Sequence, residues 1–288
     1  MNFVVLAWIA CLLYGLVAFL SKLISKYSIA NAWYFNFVWA GFVLIFTIPL
    51  AIYNHTGLPK EWLNLFLASF FYTTSGLLYI FALYKLDISV MSPMFNFRSV
   101  IGVFLAFLLL GERVSLLQIE LIIVVFLSSL VVTFDEKWSL KSFFNRGVVL
   151  LLLAVVNLSL YGIYLNKSIA LNNFWATTVF VPLISQALLL MTLPLFRKEI
   201  KTVNPKSLGA VGIMSVLGTF GTLAGNAALA KNVSISTVII SVPVSMILAF
   251  IFSLVAPELL EKHPIGVYAV RFLAAFVMIS AAVKLSLM

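Results

Sequence analysis

The feature that most constrains this chain is a series of apolar runs, each about as long as a bilayer is thick. One run covers residues 88–110 and ends abruptly at Gly111-Glu112. At 1.5 Å per residue it is roughly 34 Å long, enough to cross the hydrocarbon core of a bilayer as one helix. The run holds Asn96 and Arg98 near its middle. A charged side chain at that depth is energetically costly, so we expect it to have a structural or functional role.

The composition extends this conclusion to the whole chain. Hydrophobic residues make up 64% and charged residues 9%, whereas about a quarter of a soluble domain is charged. The apolar runs are about twenty residues long and do not alternate, which excludes a β-barrel. The predicted fold is therefore all-α, a polytopic membrane protein. The net charge of +9 lies mainly in short loops, where it indicates membrane topology and not nucleic-acid binding.

Ten apolar segments separated by short polar turns predict ten transmembrane helices. They cover residues 2–25, 32–53, 62–84, 88–110, 116–134, 147–170, 174–196, 208–229, 233–255 and 264–286.

Short matches at a nearly constant spacing of about 146 residues indicate that the chain is duplicated. The matching pairs are Leu13-Tyr14-Gly15 with Leu160-Tyr161-Gly162, Thr47-Ile48-Pro49-Leu50 with Thr192-Leu193-Pro194-Leu195, Ala82-Leu83-Tyr84-Lys85 with Ala228-Leu229-Ala230-Lys231, and Leu105-Ala106-Phe107 with Leu248-Ala249-Phe250. They predict two five-helix repeats, residues 1–137 and 138–288. Because five is odd, the repeats must insert with opposite orientation, as in transporters with a midplane site.

The segment order, the duplication and the Gly111-Glu112 ending resemble the drug/metabolite transporter superfamily, and within it the ten-helix EamA type. Tyr14-Gly15 followed by Lys22 is similar to that family's Trp-Gly…Lys pattern in the first helix. Ser241-Val242-Pro243 is similar to the proline-bearing centre of its ninth helix. Two features depart from the family: the proline nearest Arg98 is Pro93, and the second Gly-Glu is replaced by Ala256-Pro257-Glu258. The resemblance implies a carrier for small metabolites that works by alternating access.

Arg98 is the leading candidate for a substrate-binding residue. It lies roughly 16–21 Å from either end of its segment, so its guanidinium must face protein or a water-filled cavity. One interpretation is an anchor for a carboxylate or phosphate, and the other is a structural contact to carbonyl groups. Asn96 lies about 200° around the helix from Arg98 and instead lines up with Ser92 and Ser99. This polar stripe indicates either a cavity or hydrogen bonds between helices.

Further candidates for substrate binding are polar or aromatic side chains at helical spacing, and packing between helices is the competing explanation for each. They are Tyr14, Lys22, Tyr72, Tyr79, Asn157, Tyr161, Tyr164 and Asn226. Tyr14 and Tyr161 are equivalent in the predicted repeats, which favours a shared cavity. For Lys22 the competing explanation is a side chain that extends to the interface. Gly221 and Gly225 predict close helix packing. Tryptophans including Trp39 are predicted in the interfacial aromatic belt.

The predicted function is secondary transport, by export or exchange, of a small anionic or zwitterionic metabolite such as an amino acid derivative. The alternatives are a flippase for a lipid or lipid-linked sugar and, less favoured, a membrane-embedded enzyme. Both histidines lie in loops, and no nucleophile-base pair or metal-ligand pattern occurs, so no catalytic residue, cofactor or metal is expected. The expected partners are the substrate and the lipid bilayer, without nucleic acid. We expect a monomer or weak homodimer in the bacterial cytoplasmic (inner) membrane.

The orientation in the membrane is left open by two conflicting signals. The family resemblance implies cytoplasmic termini. The loops that would then lie outside carry most of the lysines and arginines, so the positive-inside rule favours the reverse.

Overall fold

The computed structural model describes residues 2–133, 145–201, 204–255 and 265–287, and the regular structure within these ranges is helical. The helices are α1 (Phe3–Tyr27), α2 (Ala32–Tyr53), α3 (Leu63–Leu83), α4 (Ile88–Met94), α5 (Phe97–Leu110), α6 (Leu116–Thr133), α7 (Arg146–Asn172), α8 (Phe174–Leu190), α9 (Arg197–Lys201), α10 (Pro205–Leu229), α11 (Val233–Ile240), α12 (Val244–Val255) and α13 (Ile265–Ser286), with a 3-10 turn at Leu193–Phe196. The predicted boundary between repeats, at residues 137 and 138, and Ala256-Pro257-Glu258 lie outside the described residues.

Asparagines define where many of these helices begin. The Asn31 side-chain oxygen accepts a hydrogen bond from the Trp33 backbone N–H at 2.9 Å, which satisfies one of the donors that the first turn leaves open. Asparagine side chains cap five other helices in the same way; these caps are Asn2, Asn145, Asn173, Asn204 and Asn232. The helix starts predicted from turn residues are thus set locally.

Six helices in the described ranges are long and apolar enough to cross a membrane. They are Phe3–Tyr27, Ala32–Tyr53, Leu63–Leu83, Arg146–Asn172, Pro205–Leu229 and Val233–Phe252. A seventh span results if Phe174–Leu190 and Leu193–Lys201, bent by 71°, count as one. Three shorter apolar helices are Phe97–Leu110, Leu116–Val131 and Phe272–Leu285. The prediction of ten spans stays a prediction.

Two segments predicted as continuous helices are interrupted, which corrects the sequence-based expectation. A turn at residues 95–96 separates α4 from α5, and residues 241–243 separate α11 from α12. Pro243 lies within the second interruption. A proline lacks the N–H that continues a helical hydrogen-bond ladder, and its ring obstructs the preceding turn.

The helices pack in pairs that connect the two halves of the chain. The most extensive pairs are α3 with α7 and α1 with α10, followed by α6 with α13 and α2 with α8. The halves of the interrupted segments cross over as well, because α5 contacts α11 and α4 contacts α12. The half-helix α5 also packs on α7, while α12 packs on α1. The interior is therefore built from both halves of the chain together.

Glu112 joins the end of α5 to the start of α11. Gly111 ends α5 in the left-handed conformation, at a φ of 67°, which glycine adopts without steric cost. The carboxylate of Glu112 then accepts hydrogen bonds from the backbone N–H groups of Val233 at 2.7 Å and Ser234 at 2.9 Å. The Ser234 hydroxyl donates a third, at 2.6 Å. A negative charge at a helix N-terminus is favourable.

Lys22 fastens the end of α1 to the end of α3. Its ammonium group donates to the backbone carbonyls of Leu83 at 3.1 Å and Leu86 at 2.8 Å. In the second half of the chain, the Asn166 amide on α7 donates to the carbonyls of Leu229 and Ala230 at the end of α10. Both contacts satisfy carbonyl groups that a helix C-terminus leaves open.

Candidate functional site

A cavity of about 210 Å³ lies inside the bundle, where α1, α2, α3, α5, α7, α8 and α10 meet the interruption between α11 and α12. Its walls are mainly aromatic and small side chains. The lining residues are Cys11, Tyr14, Gly15, Val17, Ala18, Asn36, Trp39, Ala40, Val43, Tyr72, Thr73, Ser75, Gly76, Tyr79, Phe95, Arg98, Leu158, Tyr161, Ser185, Leu189, Gly218, Thr222, Gly225, Leu229, Ile240, Ser241, Val242 and Ser245.

Arg98 is the charged residue of this lining. It stands in the first turn of α5, directly after the interruption, and is only 5% exposed. Within the described part of the chain its side chain forms no ion pair, and its Nε–H has no hydrogen-bond partner. The guanidinium lies beside Gly162 on α7, where a built Cβ would lie at an ordinary contact distance of 3.9 Å from Nη2. The structure thus holds a buried guanidinium open toward a cavity.

Tyrosines from three helices line the cavity together with Arg98. Tyr14 on α1, Tyr72 and Tyr79 on α3, and Tyr161 on α7 all line the cavity. The Tyr161 hydroxyl donates to the Asn226 side-chain oxygen at 2.9 Å. The rings of Tyr72 and Tyr161 have centroids 5.2 Å apart. Five predicted site residues, Arg98 and these four tyrosines, therefore share one cavity.

Small residues on α10 make room for the Tyr14 ring. A Cβ at Gly225 would lie 3.2 Å from the Tyr14 hydroxyl oxygen, and one at Gly221 would lie 3.2 Å from its Cε1. Both distances are tighter than ordinary contact, so any larger side chain would displace the ring. The predicted packing role of Gly221 and Gly225 is consistent with this geometry, and the helices approach closely in order to present a tyrosine.

Asn226 stands one step behind the cavity wall. It is buried, accepts the hydrogen bond from Tyr161, and donates from Nδ2 to the Thr178 hydroxyl at 3.3 Å. It does not line the cavity. Its geometry fits a residue that orients Tyr161, rather than one that contacts a ligand directly.

The structure places four other predicted site residues away from the cavity. Lys22 binds the carbonyls at the end of α3, as described above. The Asn96 amide donates to the Met278 sulfur at 3.3 Å and faces α13. Asn157 accepts a hydrogen bond from the Thr74 hydroxyl at 2.8 Å. Tyr164 stacks beside Phe71, with centroids 5.6 Å apart. Lys22, Asn157 and Tyr164 lie on helix faces that meet a neighbouring helix, and Asn96 lies in the turn between α4 and α5.

Trp39 and Asn36 are among the lining residues that the sequence-based prediction missed. Trp39, predicted in the interfacial belt, lines the cavity instead, and its buried Nε1–H has no hydrogen-bond partner among the described residues. Asn36 lies one turn earlier on the same face of α2. Their spacing of three, continued by Val43, is the signal that could have identified this stripe.

Comparisons with known proteins agree with the helical architecture. Residues 1–134 match the EamA-like transporter family, which confirms the predicted resemblance for that part of the chain. No curated protein matches the chain. Among the solved structures that match, one crystal structure superposes with a TM-score of 0.70 at 13% identity, covering 97% of this chain and 94% of the other. At that identity the likeness concerns the fold alone. The family match over residues 1–134 and the long apolar helices together indicate an integral membrane protein.

Proposed function

We propose that this chain, whose residues 1–134 match the EamA-like transporter family, is a secondary transporter that exports or exchanges a small anionic or zwitterionic metabolite by alternating access. The observation that carries the proposal is Arg98, buried against a cavity without an ion-pair partner in the described ranges. A buried, uncompensated charge is strongly unfavourable, and a bound anion would neutralise it. Charged groups inside a membrane bundle typically mark a substrate or ion pathway.

The proposed architecture is ten spans in two inverted repeats that meet at this cavity. The packing supports it, because the main contacts between the two halves have counterparts when the halves are exchanged. The pair α1 with α10 corresponds to α7 with α3, and the pair α5 with α11 corresponds to α12 with α4. Both interruptions border the cavity, as expected for broken helices at a midplane site.

The dimensions of the cavity favour a small substrate over a lipid. Its volume of about 210 Å³ is below the roughly 300–1,000 Å³ of pockets for drug-sized ligands. A lipid-linked sugar would require a much larger space, open to the side. A transporter moves its substrate across the membrane without changing it chemically. Chemical conversion of a substrate in reconstituted vesicles would therefore contradict the proposal and favour a membrane-embedded enzyme.

The direction of transport depends on the orientation, for which loop charge and family resemblance give opposite answers. Alkaline phosphatase fused after Met288 distinguishes them in a bacterial host. Activity would place the C-terminus in the periplasm and refute the family orientation. Fluorescence of a fluorescent protein fused at the same position would place the C-terminus in the cytoplasm and support the family orientation.

The transport proposal is tested by counterflow in liposomes that contain the purified full-length protein. The panel comprises amino acids, nucleotides, sugar phosphates and simple organic acids. We expect a substrate to be accumulated by the wild type and not by Arg98→Ala. The matched control is Arg113→Ala, which removes an exposed arginine beyond the end of α5 and should retain transport.

Arg98→Ala must remain in the membrane and monodisperse in detergent for the comparison to count, and Arg98→Met provides a second variant with a similar length. Retained counterflow in either folded variant would remove Arg98 from the mechanism.

A further inference from the structure

The lining of the cavity carries a positive charge without a negative one, which indicates the charge of the ligand. Arg98 contributes a positive charge, and none of the lining residues, all of them in the described ranges, is Asp or Glu. A ligand with one negative charge would neutralise the site. A zwitterion would bring its ammonium group into the same small space as the guanidinium, where no carboxylate is available to receive it.

The ends of two half-helices add to the positive character of the cavity. The N-terminus of α5 carries Arg98, and Val242 and Ser245 at the start of α12 also line the cavity. A helix N-terminus carries partial positive charge that favours an anion, although the backbone N–H groups of Arg98, Ser99 and Val244 already donate to carbonyls of the chain. In broken-helix transporters such ends point at the anionic group of the substrate. The buried, unpartnered guanidinium is an independent sign of the same preference.

A second donor without a partner lies on α2. The buried indole N–H of Trp39 makes no hydrogen bond in the described part of the protein. This nitrogen lies beside Gly218 on α10, where a built Cβ would lie at an ordinary contact distance of 3.5 Å. An acid group offers several acceptor lone pairs, which an amine or ammonium does not. Trp39 is therefore suited to orient an acid.

The remaining walls are suited to an apolar body. Tyr72, Tyr79, Phe95 and Tyr161 contribute rings, and Val17 and Leu189 contribute aliphatic surface. The cavity of about 210 Å³ compares with the roughly 150 Å³ of an engineered apolar cavity that binds benzene. One ring with a short acidic side chain matches this space.

We infer that the cavity selects a monoanionic acid with an apolar, ring-sized body and no amino group. The inference rests on the proposed transport function and narrows its substrate class from anionic or zwitterionic metabolites to lipophilic monoanions. Arg98 would neutralise the acid group, Trp39 would donate a hydrogen bond to it, and the tyrosine walls would surround its body.

Equilibrium binding to the purified full-length protein in detergent tests this inference, since weak acids leak through bilayers. Four compounds differ in one group: 3-phenylpropionate, L-phenylalanine, 3-phenylpropylamine and 3-phenylpropan-1-ol. By titration calorimetry we expect 3-phenylpropionate to bind at least about tenfold more tightly than each of the others.

Three variants assign the preference to residues. Arg98→Met should reduce the affinity for 3-phenylpropionate to that for the alcohol. Trp39→Phe, which removes the N–H and keeps a ring, should weaken it at least about tenfold, as for a lost hydrogen bond to a charged group. The control Trp62→Phe changes a half-exposed tryptophan that does not line the cavity and should leave binding unchanged.

The outcomes separate this inference from the transport proposal. Equal or tighter binding of L-phenylalanine, or no detectable binding of 3-phenylpropionate, would overturn the preference for a monoanion. Counterflow of any panel compound would then still support a transporter. Absence of counterflow for the whole panel would contradict the transport function, even if 3-phenylpropionate binds.

Discussion

The two interruptions, one between α4 and α5 and the other between α11 and α12, lie about 146 residues apart and border the same cavity. They differ near the start of the following half-helix. In the first half Arg98 is the second residue of α5, and its counterpart 146 residues later is Val244, the first residue of α12. A Cβ built at Gly162 would lie 3.9 Å from Nη2 of Arg98, which is an ordinary contact distance. A Cβ at Gly15 would lie only 2.7 Å from Val244 Cβ.

This difference shows that similar backbone interruptions serve two purposes. At the first, a long cationic side chain passes Gly162 at ordinary contact distance and reaches the cavity. At the second, the absence of a side chain on Gly15 allows α1 to pack directly against the start of α12. The scaffold of the cavity is similar on both sides, whereas its chemistry is not.

The most drastic way to break this comparison is to exchange the two side chains. In the double variant Arg98→Val with Val244→Arg, we expect no counterflow, because Gly15 leaves no channel for a long side chain at position 244. An arginine forced into apolar surroundings at a helix centre also costs about 2.5–3.5 kcal/mol on insertion scales. Arg98→Val alone serves as the folded, inactive reference. Recovered transport in the double variant would mean that the two positions are interchangeable.

Substitutions of Gly15 and Gly162 test the same difference with a smaller expected effect. Gly15→Ala should lower the free energy of unfolding by about 1–3 kcal/mol through overpacking against Val244. Gly162→Ala should change it by less than about 0.5 kcal/mol, as for substitutions that meet no clash. Thermal unfolding of both variants in the same detergent measures the difference, and equal shifts would contradict the packing described here.

A smaller effect is expected where the halves of the chain are joined at Glu112. Glu112→Ala removes the hydrogen bonds to Val233 and Ser234 and should lower stability by about 0.5–2 kcal/mol, as for a lost helix cap. Hydrogen exchange at the start of α11 should become faster. Glu120→Ala, at an exposed position on α6, is the matched control. Unchanged exchange at α11 would show that Glu112 does not hold this helix.

The smallest effect distinguishes the two tyrosines at equivalent positions. Tyr161→Phe removes a 2.9 Å hydrogen bond and leaves the buried Asn226 oxygen without its donor, at a cost of about 1 kcal/mol. Tyr14→Phe removes only a 3.5 Å contact with Thr222, which is at the limit of hydrogen bonding, so it should cost less. Unfolding measurements that reverse this order would place the stronger interaction at Tyr14.

Much of the helical architecture and part of the site could be predicted from the sequence. The second segment was predicted at residues 32–53 from its apolar run. The helix α2 has the same bounds, since Asn31 caps its start and Asn54 follows its end. Arg98 was predicted because a charge within an apolar run is conspicuous in the sequence alone. Tyr14 and Tyr161 were predicted because they belong to matching Tyr-Gly pairs. Lys22, Tyr164 and Asn157 were predicted for the same cavity from their spacing. Spacing identifies the face of a helix and does not identify which neighbour that face meets.

The sequence by itself determined the environment: apolar runs of bilayer length require backbone groups to be paired within helices, and prolines and asparagines mark where those helices break or begin. Only the tertiary structure decided which polar side chains share a space. Arg98 and Trp39 come together because helices far apart in sequence converge, and Asn96 turns away because its face meets α13. Burial depends on all neighbours at once, whereas a residue and its helical period specify only a direction.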